Sequence, residues 1–154
     1  MFSADVMSIL AAGTSLIVGT VGPDGEPRAT RAFALTVVDA EADVVRLVLS
    51  ADDPVVVAHL DTGVIAITAA DVRTLRSVQL KGRIVRVEPT NPHDEAVVAE
   101  HSGRFFQAIH ETDGHDLSAI RQLLPLRTVS VEVSVEELFD QTPGPDAGRR
   151  VVAP

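Results

Sequence analysis

From Val129 to Glu136 the chain reads Val, Ser, Val, Glu, Val, Ser, Val, Glu, with an apolar residue at every second position. A period of two separates apolar from polar side chains only on a β-strand, because successive side chains there point to opposite faces. A strand that is wet on one face and buried on the other needs partners for both its edges, and five more segments can supply them. Leu16 to Val21 and Pro27 to Val38 flank Gly22-Pro23-Asp24-Gly25, a sequence with strong turn chemistry, and together read as a β-hairpin. Val44 to Ser50 follows the acidic loop Asp39 to Asp43, Val64 to Ala70 follows Gly63, and Arg76 to Glu88 forms a long strand with a bulge or bend expected at Gly82.

Helices fit between these strands. Ser3 can cap a helix reaching about Ala12, with Phe2 and Met7 as a staple and Val6, Ile9 and Leu10 as its buried stripe. Asp53-Pro54 and Asn91-Pro92 both pair an N-cap with proline at the first helical position, predicting helices to about Asp61 and about Ile109. A short helix is expected from Asp116 to Leu124, before Pro125. The opening strand–turn–strand breaks the alternation that a doubly wound α/β sheet requires. The pattern therefore predicts a mainly β chain, a closed or partly closed antiparallel barrel of six strands with short peripheral helices. Residues 1–140 read as one domain, and residues 141–154, rich in Pro and Gly, as an extended tail.

Composition narrows the function. A chain of 154 residues, 45% of them hydrophobic, can bury roughly 70% of the surface it exposes when unfolded. There is no cysteine, which excludes disulfides, thiolate catalysis and cysteine-bound metal, and which suits a reducing cytoplasm. A net charge of −9 argues against nucleic acid and anionic membranes as partners, and no apolar run is long enough to span a bilayer. The basic residues are twelve arginines and Lys81, so an anionic ligand would need a local arginine pocket. With neither Trp nor Tyr, stacking would fall to one of five Phe.

Motifs for phosphate loops, dinucleotide binding and serine hydrolysis are absent, and no residue reads as catalytic. His59, His93, His101, His110 and His115 lack the spacing of a metal site and are expected at the surface. Arg28 and Arg31, three apart in one strand, should point to opposite faces. Arg76 heads an otherwise apolar alternation through Val78, Leu80 and Ile84, an unusual place for a merely solvated charge.

The order and spacing of LIVGTVGPDGEPRATRAFALTVV (16–38), Val44 to Ser50 and RSVQLKGRIVRV (76–87) resemble the pyridoxamine 5′-phosphate oxidase family of FMN-binding split β-barrels. The resemblance covers about Ser15 to Glu88 and extends to the final strand. It implies a homodimer with FMN at the interface, its ring against the second strand. Arg31 then matches the arginine that opens the flavin-contacting segment, and Ala32, Phe33, Ala34 and Leu35 supply backbone and apolar contacts. Ser50 matches a small polar residue, and Arg76-Ser77 matches an Arg-Gln pair, with Gln79 placed to replace the lost glutamine.

Two positions depart from the family pattern. Thr36 stands where the family has lysine, and Asp52-Asp53-Pro54 stands where a Ser-Arg-Lys run holds the FMN phosphate. Arg28, Arg31 or Arg76 would have to hold that phosphate instead. The resemblance thus implies a flavin-dependent oxidoreductase acting on a small molecule. The alternative is a non-catalytic barrel carrying heme, a deazaflavin or another ligand.

Overall fold

The computed structural model describes residues 1–151. The strands are β1 (Ser15–Val21), β2 (Pro27–Asp39), β3 (Val44–Ser50), β4 (Val64–Ala70), β5 (Ser77–Pro89) and β6 (Thr128–Asp140). They close into a barrel in the order β1-β2-β3-β6-β5-β4, with every pairing antiparallel. The helices are α1 (Ala4–Ala11), α2 (Pro54–His59), α3 (Pro92–Asp113) and α4 (Leu117–Ile120). The architecture is the mainly β, six-stranded antiparallel barrel that the strand pattern predicts.

Alternation builds the core. Leu16, Val18, Val45, Leu47, Leu49, Ile65, Ile67, Leu80, Val131, Val133 and Leu138 point inward and are almost wholly buried. Each such side chain contributes roughly 1.5–3 kcal/mol relative to an exposed position. Val6, Ile9 and Leu10 of α1 join the same cluster. Ser3 caps α1 as expected, its Oγ accepting from Val6 N at 3.3 Å.

Gly82 sits where the β5–β6 register shifts. A Cβ there would fall 2.0 Å from Ser134 O, so only glycine lets the two strands approach this closely. The register shift lets β6 run beyond Glu136 to Asp140, longer than its clear alternation, because Leu138 still faces the core.

The barrel is split at β6. β3 pairs with β6 only from Thr128 to Ser134. Beyond that point, the edge of β6 away from β5 is taken by residues 148–151. Gly148 N donates to Asp140 O, Asp140 N to Arg149 O, and Val151 N to Leu138 O. The segment after β6 is therefore not an extended tail. It turns near Gly144 and folds back, because the split leaves backbone groups on β6 that need partners. The final three residues of that predicted tail lie outside the described residues.

Helix α3 lies across the outside of β2. Arg46 of β3 fixes its first turn, donating from Nε and Nη2 to Asp94 at 2.7 and 2.8 Å, and from Nη1 to Glu88 at 2.6 Å and Glu132 at 3.1 Å. Asp94 also accepts from Ser130 Oγ and from Asn91 N, completing a capping box. The Arg46 hydrogen bonds hold the Asp94 carboxyl well below the usual carboxylate range, against the opposing effect of burial.

Candidate functional site

Residues out of phase with the core form the outer surface of β1, β4 and β5, whereas the long helix α3 lies against β2. Two registered rows cross it. One runs Arg31, Ile17, Thr68, Gln79, Phe139 and the other Ala29, Gly19, Ala66, Lys81, Glu137. Arg31 and Gln79, 48 positions apart in sequence, are thereby set three strands apart, roughly 14 Å at ordinary strand spacing. Gln79 Nε2 donates to Thr68 Oγ1 at 3.1 Å. Lys81 Nζ lies 4.7 Å from the Phe139 ring centroid, a cation–π contact.

At the β2 end of the first row, Ile17, Ala29, Thr30, Arg31, Phe33 and Ser50 line an open hollow of about 420 Å³. Arg31 is exposed and takes part in none of the ion pairs among the described residues, unlike Arg46, Arg73, Arg76 and Arg104. Arg28, on the same strand, is equally unpaired there and lines a second hollow of about 590 Å³ with Gly19, Ala66 and Lys81. The sheet thus presents two guanidiniums outside those ion pairs, Arg31 beside apolar surface and Arg28 in a hollow that Lys81, Arg83, Glu136 and Glu137 also line.

The other residues singled out from sequence lie elsewhere. Ala32 belongs to the barrel core. Phe33, Ala34 and Leu35 are buried, and Phe33 O accepts from Ser102 Oγ of α3. Thr36 lies past them, in a groove with His93 and Val97 of α3. Arg76 pairs with Asp5 of α1. Ser77 is buried, its N–H donating to Thr142 Oγ1 and its carbonyl accepting from Gln141 N. The structure therefore gathers Arg31, Phe33 and Ser50 at one hollow and sets Gln79 on the same face. It separates Thr36, Arg76 and Ser77 from them.

A flavin has an aromatic ring that accepts hydrogen bonds and an anionic tail. The hollow suits the ring through Ile17, Phe33 and the Arg31 guanidinium, whereas the Ser50 O–H is already given to Asp52. The start of α2 does not suit the phosphate. Asp52 accepts from Leu126 N at 3.0 Å, Arg127 N at 3.1 Å and Ser50 Oγ at 3.3 Å, which lowers its pKa. Asp53 accepts from Val55 N as the N-cap. Both carboxylates brace local structure and leave two negative charges where the family pattern has cations. An anionic tail would have to turn towards Arg31 or Arg28.

Two of the five histidines depart from the expected surface placement. His59 and His101 are buried, near Thr20 Oγ1 at 3.4 Å and Thr14 O at 2.9 Å respectively, because each tethers a helix to β1 or the segment before it. Sequence reading also passed over Ile17. Its phase, opposite to Leu16 and Val18, already marks it as an apolar residue facing outward.

No protein-family model matches the sequence, and no curated protein does. Solved structures do match. HupZ from Group A Streptococcus aligns at TM-score 0.59 and 17% identity, over 96% of this chain and 100% of that one. A putative pyridoxamine 5′-phosphate oxidase from Lactobacillus delbrueckii aligns at TM-score 0.56 and 16% identity, over 90% and 93%. An FMN-binding protein from Syntrophomonas wolfei aligns at TM-score 0.53 and 13% identity, over 86% and 81%. With the barrel closed and split as described, the chain has the split β-barrel fold of the pyridoxamine 5′-phosphate oxidase-like and FMN-binding proteins.

Proposed function

We propose that this chain is an FMN-binding protein that acts as a flavin-dependent oxidoreductase on a small molecule, as a homodimer in the cytoplasm. The observation that carries this reading is Arg31, an exposed guanidinium in none of the ion pairs among the described residues, sharing a hollow with Ile17, Phe33 and Ser50. When bound, the flavin supplies the two-electron chemistry. The chain's own part is to hold it. Arg31 meets its negative charge, Gln79 offers hydrogen bonds, Ser50 borders it, and Ile17 and Phe33 shield it from water. The small residues Gly19, Ala29 and Ala66 would let a second copy approach the sheet closely and close the hollow.

The test is FMN titration of the dialysed protein, followed by visible absorption and light scattering. Flavin bands that survive gel filtration on a particle of twice the 16.3 kDa chain mass are expected. Arg31→Ala should weaken FMN at least tenfold, since a charge-assisted hydrogen bond is worth about 1.5–3 kcal/mol. No flavin bands after FMN addition would sink the reading.

A second reading rests on Asp52 and Asp53, whose charges oppose a phosphate at the start of α2. In it the barrel carries a deazaflavin, heme or another ligand without FMN chemistry. An Arg31→Ala variant with full FMN affinity, or a Soret band on adding heme, would favour it.

A further inference from the structure

The antiparallel register of β2 and β3 pairs Ala32 with Leu49, so one step further along each strand sets Arg31 beside Ser50. Ala32 and Leu49 belong to the core. The period of two therefore turns Arg31 and Ser50 outward, and both line the same hollow. A guanidinium carries donors only. What its neighbour presents decides which ligand edge can lie across the pair.

Asp52 decides what Ser50 presents. A serine hydroxyl has one proton to give and two lone pairs. Ser50 Oγ donates to Asp52 Oδ2 at 3.3 Å and accepts from Asp52 N at 3.2 Å. One lone pair is left, and no donor. Asp52 is itself fixed, since its carboxylate accepts from Leu126 N at 3.0 Å and Arg127 N at 3.1 Å. The Arg127 guanidinium, 3.6 Å away, offsets its charge. An ionised carboxylate only accepts, so Ser50 cannot reverse its hydroxyl without giving up Asp52. The two neighbours are thus unlike: Arg31 donates and Ser50 accepts.

We propose that Ser50, held as an acceptor by Asp52, receives the N3–H of a flavin ring while Arg31 donates to a carbonyl beside it. The inference rests on the flavin reading above and gives the ring an orientation. The pyrimidine edge of an oxidised flavin runs carbonyl, N–H, carbonyl, and N3 carries its only ring N–H. A deazaflavin has the same edge. Heme carboxylates offer acceptors alone and would leave the Ser50 lone pair unmatched. Asp52 is then a positioning residue, which gives a carboxylate a use where the family pattern has a cation.

The experiment uses lumiflavin labelled with 15N at N3, which lacks the phosphate tail and so removes any repulsion of that tail by Asp52. Bound to the unaltered chain, its N3–H proton should move downfield, and 3-methyllumiflavin should bind about fivefold more weakly. Ser50→Ala should return the N3–H signal of bound lumiflavin to its free position, and Ser50→Thr, which keeps a hydroxyl, should preserve the shift. Asp52→Asn, which puts an amide donor within reach of Ser50 Oγ, should reduce it. Labelled 5-deazalumiflavin, run in parallel, tells which ring binds tighter, and a downfield shift in either supports the proposal. If lumiflavin binds but its N3–H stays unshifted, or keeps its shift in Ser50→Ala, this inference falls alone. If neither ring binds the unaltered chain, the flavin reading falls with it. The Ser50 pair decides the outcome whether or not Asp52→Asn folds.

Discussion

Arg46 and Arg31 lie on adjacent strands and both point away from the barrel core, yet their surroundings differ. Arg46 meets Asp94, Glu88 and Glu132 under the first turn of α3, with every guanidinium nitrogen engaged. Arg31 takes part in none of the ion pairs among the described residues and shares an open hollow with Ser50. A guanidinium whose donors all close on protein groups fixes architecture. One held on a rigid strand with its donors free is available to a ligand. The same residue type therefore has a structural use on one side of the barrel and an open capacity on the other.

The contrast can be broken most severely at Asp94. Asp94→Ala leaves Arg46 half-buried without its main partner, and should lower stability by about 3–5 kcal/mol in urea denaturation. A loss below about 1 kcal/mol would mean that Arg46 finds water and that the network is incidental.

Acid tests the same side more gently. Asp94 has a folded pKa below its unfolded value, so its contribution is complete above the ordinary aspartate value near 3.9 and is lost as pH falls below it. His101 is also shifted down, by burial, so the unfolded chain binds its proton first. Stability should therefore decline as pH drops below about 6.5, the ordinary histidine value, and again below about 4. Urea midpoints at pH 8, 6, 5 and 3.5 would reveal the two steps. His101→Gln should flatten the upper one alone.

The smallest effect sharpens the comparison from the other side. Arg31→Ala should change the urea midpoint by no more than about 0.5 kcal/mol, as expected of an exposed residue with no partner. A large loss would show that Arg31 is structural after all, and would remove the main support for a ligand there.

What could be read from sequence was local. The Val129 to Glu136 alternation, the Asp53-Pro54 and Asn91-Pro92 starts and the bulge at Gly82 each depend on neighbours a few positions away, and each is present in the structure. The ladder joining Arg31 to Gln79 was legible only in part. The strands were clear, but their order around the barrel, which sets both residues on one face, is not a local property.

Contacts between distant segments were not legible at all. Nothing near Arg46 announces Asp94, 48 positions on, and nothing near Phe33 announces that α3 will cover it. Asp52 is the clearest case. As a charge it reads as repulsion of a phosphate. In the structure its carboxylate also accepts from Leu126 and Arg127 at the approach to β6.

The return of residues 148–151 along β6 bears on how this protein stays a defined particle. A closed barrel has no strand edge open to another chain, but the split would reopen one beyond Ser134, along a strand rich in valine. With Gly148, Arg149 and Val151 seated there, that edge is occupied from within the same chain. Strand addition and exchange, the routes by which sheets grow into fibres, are thereby blocked at the point most open to them.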